Sequence, residues 1–236
     1  MFKIYNQSSE DMSDVPDNSV DIVISSPPYN IDTPYDEENR DSRAFEEFKK
    51  FLNQVISEVF RVLKPEGLFF NESADTVYSN GKLIALSDLI QKLCLDAGFS
   101  LEERYINFLQ SEKGIVLTDK EHSWTNDYYS EEDSHSNCHQ WLLMKKGPSD
   151  FDPNKGKIFY VNYPSSEEGH PCPFSYEHVK IFLEITKFQP GMTVLEPFMG
   201  IARLGEEVLK RKGEYIGFEL AKKHFATAKA RLEKVS

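Results

Sequence analysis

The chain has 236 residues, a formal net charge of −12 and a pI near 5.0. This acidic balance argues against tight nonspecific binding to nucleic acid, but it permits a local basic face because charges more than ~8–10 Å apart are screened. No apolar run approaches the ~20 residues of a membrane span, and the N-terminus lacks the apolar core of a signal peptide. The three cysteines have no paired or metal-ligand spacing, so we expect a cytoplasmic, reduced, metal-free protein without membrane contact.

The chain opens with two short predicted strands and an unusual turn. Residues 2–5 alternate as a strand does, and residues 22–24 form an apolar run typical of a buried strand. Ser-Pro-Pro-Tyr follows at residues 26–29, where two prolines fix two φ angles and remove two N–H donors. The strand must therefore end there. In an open α/β sheet, ligands bind at this carboxyl edge of the strands.

The groups of this turn suit a planar ring that carries an exocyclic amine. The Ser26 hydroxyl and the Pro27 carbonyl can each accept a hydrogen bond from an NH2 group, and Pro28 stiffens the turn. The ring of Tyr29 can stack on the substrate ring. A proline-rich turn with a chance tyrosine is the alternative interpretation, because short motifs have a real false-positive rate.

The remainder of the first half alternates helices and strands. Residues 30–43 are polar and contain Tyr35, which predicts either a loop over the site or a plain solvated connector. Apolar spacing predicts a helix over 45–63, a strand over 68–71, a second helix over 83–97 that Gly98 ends, and a strand over 101–109. This alternation favours an α/β fold.

Residues 111–137 show little apolar periodicity but hold several aromatic and histidine residues. A loop of this length within a domain is usually functional or disordered, so we predict an insertion that contacts the substrate. A surface loop with its own aromatic cluster is the alternative. Strands are predicted over 140–144 and 157–163, followed by a helix over 176–188 with Ser175 as its N-cap.

A second candidate binding segment, after the Ser-Pro-Pro-Tyr turn, lies near the C-terminus. A strand that ends at Glu196 leads into a turn with Gly200 and a helix over 204–212. A strand over 214–219 follows, and a helix over 221–235 closes the chain. Glu219 lies 23 positions after Glu196, and an acid ~20 residues beyond a strand–turn–helix unit commonly binds the ribose hydroxyls of a nucleoside cofactor.

Three of these segments together resemble one family. Ser-Pro-Pro-Tyr after a buried strand resembles motif IV of the amino-methyltransferases that use S-adenosyl-L-methionine (AdoMet) to modify exocyclic amines of nucleic-acid bases. Glu-Pro-Phe-Met-Gly at 196–200 resembles their cofactor-binding motif I. His-Pro-Cys-Pro-Phe-Ser at 170–175 resembles the element that lines the methionine end of AdoMet. The chain departs from the family at Gln7-Ser8, which replaces a Gly-Asp pair, and in motif I at Glu196, Ala202 and Arg203.

The resemblance implies an α/β, Rossmann-like methyltransferase fold: a seven-stranded, mostly parallel sheet with one antiparallel strand and helices on both faces. It also implies a circularly permuted motif order and one catalytic domain over residues 1–236. The implied cofactor is AdoMet. The implied catalytic residues are Ser26, Pro27, Pro28 and Tyr29, and the implied cofactor-binding residues are Ser8, Pro173, Phe174, Ser175, Glu196, Pro197, Phe198, Gly200, Glu219 and Leu220.

The family uses serine at the first position of motif IV in N4-cytosine enzymes and Asp or Asn in N6-adenine enzymes. The resemblance therefore implies methyl transfer to the N4 amine of cytosine in nucleic acid, DNA rather than RNA, within a restriction-modification setting. The alternatives are an N4-cytidine enzyme for structured RNA such as rRNA, an N6-adenine DNA enzyme, and a non-catalytic AdoMet-binding subunit. A homodimer is compatible with each of them.

Overall fold

The computed structural model describes residues 1–110, 138–149, 158–162 and 169–236. Helices and strands alternate through this part of the chain. The strands are β1 Phe2–Tyr5, β2 Val20–Ser25, β3 Leu63–Ala74, β4 Val77–Ser79, β5 Lys82–Ile84, β6 Ser100–Gln110, β7 Cys138–Lys145, β8 Ile158–Asn162, β9 Thr193–Glu196 and β10 Glu214–Phe218. The helices are α1 Phe45–Val62, α2 Leu86–Ala97, α3 Tyr176–Ile185, α4 Arg203–Lys210 and α5 Lys222–Glu233.

Eight of the strands form one sheet in the order β1-β10-β9-β2-β3-β7-β6-β8. Strand β7 is antiparallel to both of its neighbours, and the other registers are parallel. The predicted α/β fold with a single antiparallel strand is therefore confirmed. The sheet has one strand more than the predicted seven, because β8 pairs with β6 at the edge.

Each face of the sheet carries its own hydrophobic core. Because successive side chains of a strand point to opposite faces, Val23 joins one core while Ile22 and Ile24 join the other. Helices α1 and α2 supply the first core, and α3, α4 and α5 supply the second. Trp141, which is fully buried on β7, packs against Phe182 in the second core. This arrangement confirms the prediction of helices on both faces.

Helix α1 follows the predicted apolar spacing and buries that stripe along its length. Lys146, the residue after β7, binds the C-terminal end of this helix. Its ammonium group donates hydrogen bonds to the carbonyls of Phe60 (2.6 Å) and Leu63 (2.7 Å). Pro65 disfavours helical backbone at the residue before it, so the chain leaves the helix there in extended conformation. Strand β3 consequently begins at Leu63, earlier than the predicted strand over 68–71.

The prediction of a helix beginning at residue 83 is wrong at its start. Helix α2 begins at Leu86, and β4 and β5 form a hairpin immediately before it. The turn of this hairpin is Asn80-Gly81, and both residues have positive φ (50° and 76°). Asn-Gly with two positive φ angles is the preferred two-residue hairpin turn, and its local signal outweighs the helical spacing of the residues beyond it.

The predicted substrate-contacting insertion at 111–137 lies outside the described residues. The strand predicted over 157–163 is confirmed as β8 within its described range, Ile158–Asn162. In the described parts of the chain, no helix combines the length and the hydropathy needed to cross a bilayer.

Candidate functional site

A cavity of about 320 Å³ opens at the carboxyl edge of the sheet. Its walls come from segments that directly follow parallel strands: the turns after β1, β2, β9 and β10. Parallel strands bring their carboxyl ends to one edge, so residues far apart in sequence meet there. All the predicted site residues except Ser175 line this cavity.

Ser175 has a structural role instead. Its hydroxyl oxygen accepts a hydrogen bond from the backbone N–H of His178 (3.1 Å), which caps helix α3 as predicted. The same hydroxyl lies 2.7 Å from the Nδ1 atom of His178. Its assignment to the cofactor site is therefore not supported by its position. Its neighbours Pro173 and Phe174 do line the cavity.

The turn after β2 presents its polar atoms to a buried carboxylate. The Ser26 hydroxyl donates a hydrogen bond to Oε2 of Glu72 (2.7 Å), and the Tyr29 hydroxyl lies 3.3 Å from the same oxygen. Because the Ser26 hydrogen is directed to Glu72, the lone pairs of its oxygen remain available to accept hydrogen bonds from a bound ligand. In the described part of the chain, no backbone hydrogen bond of a turn or loop ends on the Pro27 carbonyl.

Glu72 lies near the end of β3 and is only 5% exposed. Its other oxygen contacts Nδ1 of His139 on β7, and His139 is equally buried. Burial alone would raise the pKa of Glu72, but His139 and the Ser26 hydroxyl overcome this effect and hold that pKa well below its usual range. Glu72 is therefore ionised at neutral pH, in direct contact with His139 on one oxygen and with Ser26 on the other.

His178, on the first turn of α3, completes this group. Burial lowers the pKa of His178 to about 4, with a smaller contribution from His139, and together they outweigh Glu72, which raises that pKa. His178 is therefore a neutral imidazole at neutral pH. Sequence analysis did not identify Glu72, His139 or His178 as site residues. The sequence did contain one signal for Glu72: it is an acidic residue near the carboxyl end of a predicted strand. If that strand lies next to β2, its end reaches the same sheet edge.

Glu219, which follows β10 two strands away from β2 in the sheet, also lines the cavity. Its carboxylate accepts hydrogen bonds from the backbone N–H groups of Gly200 (2.9 Å) and Ala221 (2.7 Å). Burial raises its pKa from 4.5 to about 7, more than these two N–H groups lower it. At neutral pH this carboxyl group is therefore only partly ionised. Hydroxyl groups that donate hydrogen bonds to it would stabilise its ionised form.

The turn after β9 brings a glycine and an acid to the cavity wall. A Cβ atom on Gly200 would lie 2.7 Å from Nε2 of His170, and Gly200 has φ +50°, so the close approach requires glycine. Glu196 is 2% exposed and accepts a hydrogen bond from the Tyr215 hydroxyl (2.5 Å). Burial raises the pKa of Glu196 well above its ordinary value, with a further contribution from Glu219.

The backbone of this turn is strained at Ala202, which has φ 56° and ψ 43° and is fully buried. We expect Ala202→Gly to raise the free energy of unfolding by roughly 1 kcal/mol, because glycine adopts the left-handed region without steric conflict. Chemical denaturation measures the change. The matched control is Ala228→Gly in helix α5, which should lower stability by about 1 kcal/mol. A loss of stability in Ala202→Gly would contradict the inferred strain.

Residues 30–43 form a strap along the cavity, as one of the two interpretations of this segment predicts. Tyr35, Asn39 and Arg40 line the cavity. The strap is anchored by Asp41, whose carboxylate accepts hydrogen bonds from the backbone N–H groups of Tyr29 (3.1 Å) and Asn30 (3.0 Å). The ring of Tyr35 lies beside His170.

The sequence model of the DNA methylase family matches residues 20–230, and the chain belongs to this family. Type II methyltransferase M.BglII of Bacillus subtilis is 28% identical over 94% of this chain and 66% of its own length. DNA adenine methyltransferase YhdJ of Escherichia coli K12 is 24% identical over 99% of this chain and 83% of its own length.

The fold also occurs in solved structures. The cytosine-N4-specific PvuII DNA methyltransferase superimposes with a TM-score of 0.70 at 17% identity, over 99% of this chain and 89% of that one. The similarity confirms the methyltransferase fold. The family uses AdoMet as its methyl donor. The similar proteins thus include one named as an adenine enzyme and one named as a cytosine-N4-specific enzyme.

Proposed function

We propose that this chain transfers a methyl group from AdoMet to the exocyclic N4 amine of cytosine in DNA. The observation that carries the proposal is the hydrogen bond from Ser26 to the buried carboxylate of Glu72. This bond fixes the serine oxygen as an acceptor inside the cavity, directly beside the Tyr29 ring. An amine donor on a stacked ring is the ligand that such an acceptor recognises.

The cavity fits AdoMet at the end opposite Ser26. Glu219 would accept the ribose hydroxyls, Gly200 allows the backbone to approach closely, and Phe198 offers an apolar ring. When bound, AdoMet supplies a methyl group that is activated for nucleophilic attack by its sulfonium. Pro173 and Phe174 would lie against the methionine end.

The protein's contribution to the reaction is to prepare the nitrogen as a nucleophile. The amine lone pair of cytosine is delocalised into the ring, so the free base is a poor nucleophile. Hydrogen bonds from the amine to the Ser26 oxygen and the Pro27 carbonyl favour a tetrahedral nitrogen with a localised lone pair. These bonds strengthen as the nitrogen becomes tetrahedral, so they stabilise the transition state more than the ground state. Tyr29 orients the ring by stacking.

Glu72 assists this step through charge. Positive charge develops on the nitrogen as its lone pair bonds the methyl group, and the nearby Glu72 carboxylate stabilises this charge until the nitrogen releases its surplus proton to water. The carboxylate also polarises the Ser26 hydroxyl, which makes the serine oxygen a stronger acceptor. A target base in a duplex must leave the stack to reach these groups, because the site lies within a cavity.

Nucleoside mass spectrometry tests the proposal and the choice of base. Unmethylated DNA is incubated with the purified chain and AdoMet, then digested to nucleosides. We expect N4-methylcytosine, because Ser26 presents a neutral hydroxyl in place of the carboxylate or amide typical of adenine enzymes. N6-methyladenine without N4-methylcytosine would contradict the base assignment. The absence of both products, with N4-methylcytidine formed in rRNA, would assign the activity to RNA.

Cofactor binding should depend on pH through Glu219. Because its pKa is about 7, the carboxylate is mostly protonated at pH 6 and mostly ionised at pH 8. We expect AdoMet to bind about tenfold more weakly at pH 6 than at pH 8, because the ionised form accepts the ribose hydroxyls. Calorimetry without added metal measures this difference. Glu219→Gln should remove the pH dependence and weaken binding at pH 8 by roughly 1–3 kcal/mol.

The same titration should make the stability of the protein without cofactor depend on pH. The raised pKa of Glu219 means that its contribution to stability is present at acidic pH and is lost as pH rises through about 7. The free energy of unfolding of wild type should therefore fall as pH rises through about 7, whereas that of Glu219→Gln should not, although the amide loses one of the two acceptors for the Gly200 and Ala221 N–H groups. The control is Glu214→Gln, an exposed acid on the same strand. Unchanged affinity in Glu219→Gln would remove Glu219 from the cofactor site.

A further inference from the structure

The hairpin of β4 and β5 exposes an apolar surface. Five large apolar side chains of the described residues are strongly exposed, and two of them belong to this hairpin: Tyr78 (55% exposed) and Leu83 (62% exposed). They are direct cross-strand partners, so they form one continuous patch on the outer face. Exposed apolar patches on a protein surface commonly mark interaction sites.

The hairpin is narrow and well anchored. Val77 and Ser79 point inward and are buried, which fixes Tyr78 on the outside by strand alternation. The two-residue turn Asn80-Gly81 makes the tip thin. Lys82, on the same tip, is exposed and carries a positive charge. A two-stranded ribbon of this width can enter a groove of duplex DNA.

Hydrogen bonds connect the hairpin to the cavity. The Ser79 hydroxyl donates to the carbonyl of Asn30, and the Asn30 amide donates back to the same hydroxyl (3.1 Å). The Asn80 amide donates to the carbonyl of Arg43 (3.0 Å). Asn30 directly follows Tyr29, and both Asn30 and Arg43 line the cavity. The apolar patch is therefore held at a fixed position relative to the catalytic turn.

We propose that the Tyr78–Leu83 face is a wedge that packs against the stacked bases of duplex DNA next to the flipped target base. The proposal rests on the proposed function. Extrusion of a base exposes the faces of its neighbours in the stack, and apolar and aromatic side chains compensate for the lost stacking. The ring of Tyr78 and the side chain of Leu83 supply this surface, and Lys82 supplies a cation for the adjacent phosphates.

The test is the double variant Tyr78→Ser/Leu83→Ser, with Leu95→Ser on α2 as the control for loss of an exposed leucine. Methyl transfer is measured on PCR-amplified duplexes, which carry no methylation, and on the same DNA after heat denaturation. We expect kcat/KM of the double variant to fall about tenfold or more on the duplex, because the duplex requires unstacking of the target base. Denatured DNA requires little unstacking, so its kcat/KM should stay near that of the wild type.

AdoMet affinity and the thermal unfolding temperature should match the wild type, because the two side chains are exposed. An equal fall on both forms of DNA, or no fall on the duplex, would overturn the wedge. A change in oligomeric state by sedimentation, with duplex methylation unchanged, would assign the patch to self-association and also overturn it. If the wild type methylates neither form of DNA, the proposed function fails instead, so the two failures are distinguishable.

Discussion

Ser26→Ala should reduce the rate of methyl transfer by ~10²–10³-fold, by analogy with the loss of one preorganised hydrogen bond at a developing charge. The hydroxyl would be lost as an acceptor for the amine, and Glu72 would lose its hydrogen-bond donor on the substrate side. AdoMet affinity should stay within about twofold, because Pro27 and Pro28 hold the turn independently of the hydroxyl. Single-turnover kinetics with saturating cofactor and DNA measure the transfer step directly.

The control for Ser26→Ala is Ser57→Ala, which removes an exposed hydroxyl on helix α1 outside the cavity lining. Tyr29→Ala provides a second comparison. It removes a stacking surface worth ~1–3 kcal/mol per base, so it should weaken substrate binding as well as slow the reaction. A Ser26→Ala variant that transfers methyl at the wild-type rate would show that the hydroxyl does not accept the amine.

Glu72→Gln should slow methyl transfer by ~10²-fold or more, although the side chain keeps its shape. The substitution removes the negative charge of Glu72, and the single amide oxygen of Gln cannot serve both Ser26 and Tyr29 on one side and His139 on the other. It also breaks the contact with the buried His139. The pKa of Glu72 lies well below its usual range, so the wild-type rate should show no titration of this group above pH 5.

Two measurements and two further variants separate the effect of the Glu72 charge from its structural role. AdoMet binding by calorimetry and the temperature of unfolding show whether the variant is folded. Glu72→Asp, which keeps the charge on a shorter side chain, should retain more activity than Glu72→Gln. Glu47→Gln, on the exposed face of α1, controls for a change of one unit in net charge. If Glu72→Gln and Glu72→Asp were equally active, charge would play no part in the transfer step.

Local residue patterns were sufficient to predict the strand–turn units at residues 22–29 and 193–200. Pro27 and Pro28 follow an apolar run and end the strand there in any tertiary context, because the φ angles of proline are fixed. The acid at Glu219 follows a strand at the spacing of nucleotide-binding folds, and it does reach the cavity. Ser175 was identified as a helix N-cap by the same local reasoning, and the structure confirms it. Each of these features depends on a few consecutive residues.

The side chains that surround the Ser26–Tyr29 turn could be identified only from the fold. Glu72 and His139 meet because β3 lies beside β2 on one side and β7 on the other, in an antiparallel register that pairs Ala74 with His139. Strand order and register depend on how two separate cores pack on the sheet, and no short segment encodes them. The same packing turned Ser175 away from the cavity lining. The sequence therefore predicted a serine hydroxyl at the sheet edge as a candidate hydrogen-bond acceptor, but the buried carboxylate of Glu72 that it contacts could be identified only from the fold.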